Sequence, residues 1–310
     1  MKRVGLGFLG EASTEEMLSH VRLAEEMGFE SVWMSETRFV RDVFTVLGAL
    51  SQVTSRIGLA TAVINPFTRN PVLTAVSLAT LDHLSNGRAI FGIGAGSPSI
   101  LSRQGIASHQ PLRKVRETIE VVNRLLSGER VRYRGSFATL DDVKLDVRPH
   151  RSKIPVYIGA TGRKMLRLAG KVADGVILNS PTSPDYVRRA SSLVLRAAES
   201  EGRNEKDVDI ASCIECAVSE QSEEAKDLVR PIVATYLAYF HAIAKESNVE
   251  RELLQEIRST VPGRGVDAVL PLITNEILDS LTAAGTEDEF LSRLQTYVAV
   301  SYTHLTLPTK

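Results

Sequence analysis

Two rhythms of apolar positions alternate along this chain. Short apolar runs, rich in small and β-branched residues, recur at Val4–Leu9, Ser31–Ser35, Ile57–Val63, Ile90–Ile93, Pro155–Gly159, Gly175–Asn179 and Ile210–Val218. Each reads as a strand, and Ile57–Val63 as one buried on both faces. Between them the apolar residues fall at helical spacing: Met17, Leu18, Val21, Ala24 and Met27, then Val43, Val46, Leu47, Leu50 and Val53, then Val72, Leu73, Val76, Ala79 and Leu84. Further helices are predicted over 112–126, after Ile158 with Met165, Leu168, Ala169 and Val172 inward, from Ser183-Pro184 to Gly202, and from Ser222 to Glu246, with more to Leu294. The starts are chemically marked. Ser13 with Glu16, and Thr286 with Glu289, are capping boxes, Asp42 is a cap, and Asn70-Pro71 is a cap followed by proline at the first helical position. Gly28, Gly87 and Gly128 mark stops.

Alternation of this kind over a chain of 310 residues predicts an α/β fold, a (β/α)8 TIM barrel rather than an open sheet. The polar stretch 132–151, with alternation from Phe137 to Val147, reads as a hairpin or extended insertion between the 112–126 helix and the strand at Pro155. Only seven barrel strands are counted, and the eighth is expected after Tyr297. The final VSYTHLTLPTK does not continue the pattern and resembles a translated sequencing adapter. The expected organisation is therefore a single, C-terminally incomplete barrel domain over 1–299 and an adapter-derived tail over 300–310. A barrel truncated before its eighth strand would leave the edges of its first and seventh strands open and would be poorly soluble.

Acidic and basic residues balance at 37 each, so neither nucleic acid nor an anionic membrane is implied as a partner. No apolar run has membrane-spanning length. The first residues, MKRVGLGFLGE, enter a capped helix and read as a first strand, not a signal peptide. Two cysteines, Cys213 and Cys216, point to a cytoplasmic protein without disulfides. They lie three apart on a predicted strand and so face opposite ways, which argues against a dithiol or zinc site. No histidines share metal-ligand spacing, and no metal is expected.

Barrel enzymes place their chemistry at the carboxyl ends of the strands. That rule selects Gly7, Glu36, Ala62, Val63, Asn65, Gly94, Ser97, Gly159, Ala160, Thr161, Gly162, Asn179 and Glu215. The turn Gly159-Ala160-Thr161-Gly162-Arg163 either gathers backbone N–H groups around an anion at a helix start or is a plain strand-to-helix turn. Gly92-Ile93-Gly94-Ala95-Gly96-Ser97 has a serine where a dinucleotide fingerprint has its third glycine; it serves close backbone approach to a ligand or a tight turn. Glu36 and Glu215 are the candidate proton-handling groups, against readings as a partner of Arg38 or Arg41 and as a buried structural ion pair.

The segments ATAVINPFTRNP, TLDHLSNGRA and FGIGAGS, with the later IPVYIGATG and AGKVADGVILN, resemble the luciferase-like (bacterial luciferase superfamily) oxidoreductases, in particular the coenzyme-F420-dependent methylenetetrahydromethanopterin reductase type. The resemblance runs from VGLGF to GTEDEFLSRL. It implies a barrel, a non-prolyl cis peptide at Ala62-Val63 backing a flavin-type ring, and cofactor phosphate near Gly159–Gly162. It also implies coenzyme F420 as cofactor, with FMN as the alternative, a small organic substrate, and a homodimer or higher homo-oligomer. Four positions depart from the family pattern, with three ionisable groups lost and one altered. A glutamate of the first strand is Gly7 here, an aspartate after the Gly94 loop is Ser97, and an aspartate–histidine pair is Glu36-Thr37. The expected activity is hydride transfer between F420 and the substrate. FMN-dependent monooxygenation and a non-catalytic flavin-binding relative are the alternatives.

Overall fold

A computed structural model describes residues 3–9, 12–36, 39–301 and 303–308. The first half alternates β1 (Arg3–Phe8), α1 (Thr14–Glu26), β2 (Ser31–Met34), α2 (Val43–Val53), β3 (Gly58–Thr61), α3 (Pro71–Leu84), β4 (Ala89–Gly94), α4 (Pro98–Arg103) and α5 (Pro111–Leu126). An antiparallel pair, β5 (Val131–Arg134) and β6 (Thr139–Val143), follows. The alternation resumes with β7 (Val156–Ala160), α6 (Arg163–Val172), β8 (Gly175–Leu178), α7 (Pro184–Glu199) and β9 (Asp209–Val218). The last part is mainly helical: α8 (Ser222–Tyr239), α9 (His241–Glu246), α10 (Arg251–Arg264), α11 (Asn275–Leu281), β10 (Ala283–Gly285), α12 (Glu287–Val298) and β11 (Thr303–Pro308).

The helix starts form as local chemistry dictates. Ser13 accepts from the Glu16 N–H while Glu16 accepts from the Ser13 N–H. Asp42 accepts from the Thr45 N–H at 2.8 Å, and Asn70 from the Val72 N–H at 2.8 Å ahead of Pro71. Each such cap satisfies a backbone donor that the helix itself cannot.

Among the described residues, eight parallel strands in the order β9, β11, β1, β2, β3, β4, β7, β8 close into a ring through pairing of β8 with β9. The expectation of an unclosed sheet is corrected here. Thr303–Pro308 runs parallel to both β1 and β9, with Gly5 opposite Leu305 and Leu305 opposite Cys213. Two parallel edges offer alternating backbone donors and acceptors, and an extended segment between them satisfies both. The predicted 57–63 strand is also shorter than expected, and the 222–246 helix breaks at Phe240.

The main core lies between the ring and its helices, while Trp33, Ala60, Tyr157, Ile177, Ala211 and Cys213 plug the barrel interior. Trp33 and Tyr157 meet edge to face at 5.1 Å, and Gly175 makes room for the Tyr157 ring. A second core, spanning Ala217 to Ala284, is built mainly by the block of α8, α10 and α11. Cys213 faces the interior cluster and Cys216 the outer core, the opposition that strand alternation requires. Among the described residues no helix is long and apolar enough to cross a membrane.

Candidate active site

Parallel strands deliver all their carboxyl ends to one mouth of the ring, and a cavity of about 1280 Å³ opens there. Its floor is built by an irregularity between β3 and β4. The ladder runs regularly to Ala60 opposite Ile90. The Thr61 hydroxyl then takes over, accepting from the Gly92 N–H at 2.8 Å and donating to the Gly92 carbonyl at 2.7 Å. Ile64 rejoins the strand by donating to the same carbonyl at 3.1 Å, and its own carbonyl accepts from Gly94 at 2.9 Å. Ala62 and Val63 bulge from the ladder into the cavity, with the peptide bond between them cis.

Three glycines make this possible. A Cβ on Gly92 would lie 1.8 Å from the Thr61 carbonyl oxygen. On Gly94 it would stand 2.6 Å from Val63 Cγ2, and on Gly159 3.0 Å from Val63 Cγ1. Val63 is therefore seated between two bare backbones, which hold its side chain down and keep the space above it clear.

The rim opposite is the turn from β7 into α6. Gly159, Ala160, Thr161 and Gly162 all line the cavity. Gly162 caps α6 without a side-chain bond, the first turn contains no acidic residue, and Arg163 and Lys164 stand there instead. The Tyr186 hydroxyl fixes the turn by donating to the Thr161 carbonyl at 2.8 Å. A ten-residue helix with an uncapped start and basic flank is electrostatically suited to an anion.

Glu36, just past β2, also faces the cavity. The suggested partner Arg38 lies outside the described residues, as does Thr37. Among the described residues the carboxylate accepts from Arg69, whose guanidinium bridges to Asp42 as well. Burial opposes the charge on Arg69, but the bonds from Glu36 and Asp42 prevail and raise its pKa. For Asp42, burial is likewise outweighed, by the Thr45 and Arg69 bonds, and its pKa is lowered. Among the described residues only Oε1 of Glu36 is engaged. Its Oε2 is buried and without a hydrogen-bond partner among the described residues.

Asn65, Gly94, Ser97 and Asn179 complete the expected set in the cavity wall. Asn65 Oδ1 accepts from the Phe67 and Thr68 N–H groups, and Ser97 shares a hydrogen bond with Ser99. Glu215 is the exception. It is 1% exposed and is not part of the cavity wall; its Oε1 accepts from the Ser180 hydroxyl at 2.8 Å. The structure thus gives it no opening to a reacting group. Gly7 and Ser97, where the resemblance implied acids, both line the cavity.

Sequence reasoning missed Arg69, although it stands immediately before the Asn70-Pro71 cap. It also missed the far wall, made by Tyr236 and Ala238 to Ile243 at the α8–α9 junction and by Arg258, Val261 and Pro262 of α10. Tyr236 and Phe240 stack there at 4.6 Å. Among the described residues no three His, Cys, Asp or Glu side chains gather as a metal site.

The closed ring of parallel strands and the glycine-backed cavity at their carboxyl ends define an α/β-barrel enzyme. A family model described as luciferase-like monooxygenase matches residues 3–304, and the chain belongs to that family. A 5,10-methylenetetrahydromethanopterin reductase from Archaeoglobus fulgidus is 30% identical over 300 residues, 94% of this chain and 89% of that protein. An F420-dependent glucose-6-phosphate dehydrogenase from Microbacterium testaceum is 30% identical over 295 residues, 86% of this chain and 88% of that protein. The structure of the coenzyme-F420-dependent tetrahydromethanopterin reductase from Methanopyrus kandleri has the same fold. Its TM-score is 0.91 at 24% identity, with 99% of this chain and 93% of that one covered.

Proposed function

We propose that this chain is an oxidoreductase that exchanges hydride between coenzyme F420 and a small organic substrate. The observation that supports this most is the convergence of the Ala62–Val63 bulge and the Gly159–Gly162 turn on one open cavity. The residues fit the cofactor. Val63, flattened between Gly94 and Gly159, offers an apolar back to a planar ring, and the α6 start suits its phosphate. When bound, F420 supplies the hydride chemistry.

This chain's residues do the rest. With the cofactor bound, the Val63 floor would back its ring and leave the open side of the cavity to the substrate. Glu36 holds a carboxylate oxygen, Oε2, buried and without a partner among the described residues, where it accepts or returns a proton or hydrogen-bonds a ligand. Arg69, itself braced by Asp42, fixes the orientation of that carboxylate through Oε1. The wall from α8 to α10 selects the substrate by shape and excludes water. With Gly7 and Ser97 in place of acids, Glu36 carries the proton handling on the β2 side of the cavity. These replacements argue against methylenetetrahydromethanopterin itself as the substrate.

We further infer a cytoplasmic homodimer. Leu73, Val76 and Leu84 of α3 are 65%, 37% and 45% exposed, an apolar stripe that a second copy would cover. Titration with F420 and with FMN, followed by quenching of cofactor fluorescence, tests the main reading. Tight F420 binding with weak FMN binding supports it, and the reverse order would favour an FMN-dependent monooxygenase.

A further inference from the structure

One buried carboxyl stands outside the cavity wall and takes no part in the proton handling at Glu36. Glu215 sits inside β9, 1% exposed, with Ala211 and Cys213 of the barrel interior at alternate positions on the same strand. Burying a carboxyl there is unfavourable unless it is hydrogen-bonded. Its partner is Ser180, which is fully buried. Ser180 in turn donates its N–H to Asn179 Oδ1 at 3.0 Å, and Asn179 stands in the cavity wall. The segment is held from its other end too. Thr182 Oγ1 donates to the Asn179 carbonyl at 2.9 Å, and the Tyr297 hydroxyl of α12 donates to the Thr182 carbonyl at 2.8 Å.

We infer that Glu215 is a positioning residue, which holds Ser180 and through it sets the Asn179 carboxamide that meets the cofactor. With Oδ1 taken by the Ser180 N–H, the carboxamide keeps its Nδ2 donors for an acceptor oxygen on the ligand. Burial pushes the Glu215 carboxyl up to about 7, against the opposing bond from Ser180, so the acid form is well populated near neutrality. A neutral side chain that accepts from Ser180 therefore does the same work. Asn179 was legible as a site residue, but the two buried groups behind it had no signal beyond a lone acid in an apolar strand.

The inference rests on the reading of this cavity as an F420 site. Its test is F420 titration by fluorescence quenching for wild type, Ser180→Ala, Glu215→Ala, Glu215→Gln, Asn179→Ala and the Asn179→Ala/Ser180→Ala double variant, each with a thermal melt. Ser180→Ala and Glu215→Ala should raise the Kd for F420 about fivefold or more. Glu215→Gln should stay within about twofold of wild type. Ser180→Ala should add nothing once Asn179 is alanine, since coupled groups are non-additive. Should Glu215→Ala fail to fold, the Ser180 variant, which removes one oxygen, carries the same test. Equal losses for Glu215→Gln and Glu215→Ala, or full additivity of Ser180→Ala with Asn179→Ala, would overturn the positioning role. Wild-type protein that binds neither F420 nor FMN would overturn the cofactor reading itself, and this inference with it.

Discussion

Replacing Gly94 by alanine puts the proposed cofactor floor to its most direct test. The new methyl would stand 2.6 Å from Val63 Cγ2 and 3.5 Å from the Gly159 carbonyl oxygen. Carbon atoms in contact prefer about 3.5–4.0 Å, so the overlap with Val63 is roughly 1 Å. On its other side Val63 Cγ1 faces the bare backbone of Gly159, only 3.0 Å from where a Cβ there would stand, so sideways tilting is confined to that narrow gap. Relief requires either that Val63 rise into the cavity or that β4 shift. Overpacking of this kind costs about 1–3 kcal/mol. If that energy is taken from ligand binding, F420 affinity falls roughly 5- to 150-fold at 1.4 kcal/mol per tenfold. If it is taken from folding, the melting temperature falls by several degrees. Fluorescence titration and a thermal melt measure the two shares. The double variant Val63→Ala/Gly94→Ala removes the colliding methyls and should recover the melt. The reasoning is refuted if Gly94→Ala matches wild type in both Kd and melting temperature, or if truncating Val63 brings no relief.

Arg69→Ala strands Glu36 and Asp42; because the pair is partly exposed, the loss is up to about 1 kcal/mol at neutral pH. Since the Asp42 pKa is lowered in the folded protein, that contribution exists above the unfolded value and fades as pH falls, so melts of variant and wild type should converge on acidification. Glu215 gives the opposite slope. Its carboxyl is raised from 4.5 to about 7, so between those values the folded chain binds the extra proton and stability falls as pH rises. That decline, roughly 3 kcal/mol at 1.36 kcal/mol per pH unit, should vanish in Glu215→Gln. The neighbouring Cys213, pushed up to about 12 by burial and by Glu215, does not titrate in that window. Gly48→Ala, inside α2 with nothing within 4 Å of the new methyl, should stabilise by about 0.5–1 kcal/mol in chemical denaturation.

Helix starts were legible because capping is local. Asn70-Pro71, Asp42 and the two serine and threonine capping boxes need only residues within three positions. The cavity residues were legible because parallel strands present their carboxyl ends together, and the resemblance named the bulge. What failed was long-range. Arg69 lies 33 positions from Glu36, too far for any spacing rule. Alternation correctly sets Glu215 on the barrel-interior side of β9, but alternation says nothing of depth. The short β3 follows from a side chain, the Thr61 hydroxyl, replacing a main-chain bond. The tail looked foreign to the pattern, yet a parallel ladder is made by backbone groups, and 303–308 pair on both sides.

The cavity has two walls that belong to different cores. The Val63 floor and the α6 turn are seated on the barrel, whereas Tyr236, Phe240 and Val261 rise from a helical block with its own packed interior. Replacements in the block can reshape what the cleft admits while its redox machinery stays anchored elsewhere. One scaffold can in this way trade one reductant's target for another by exchanging a single module.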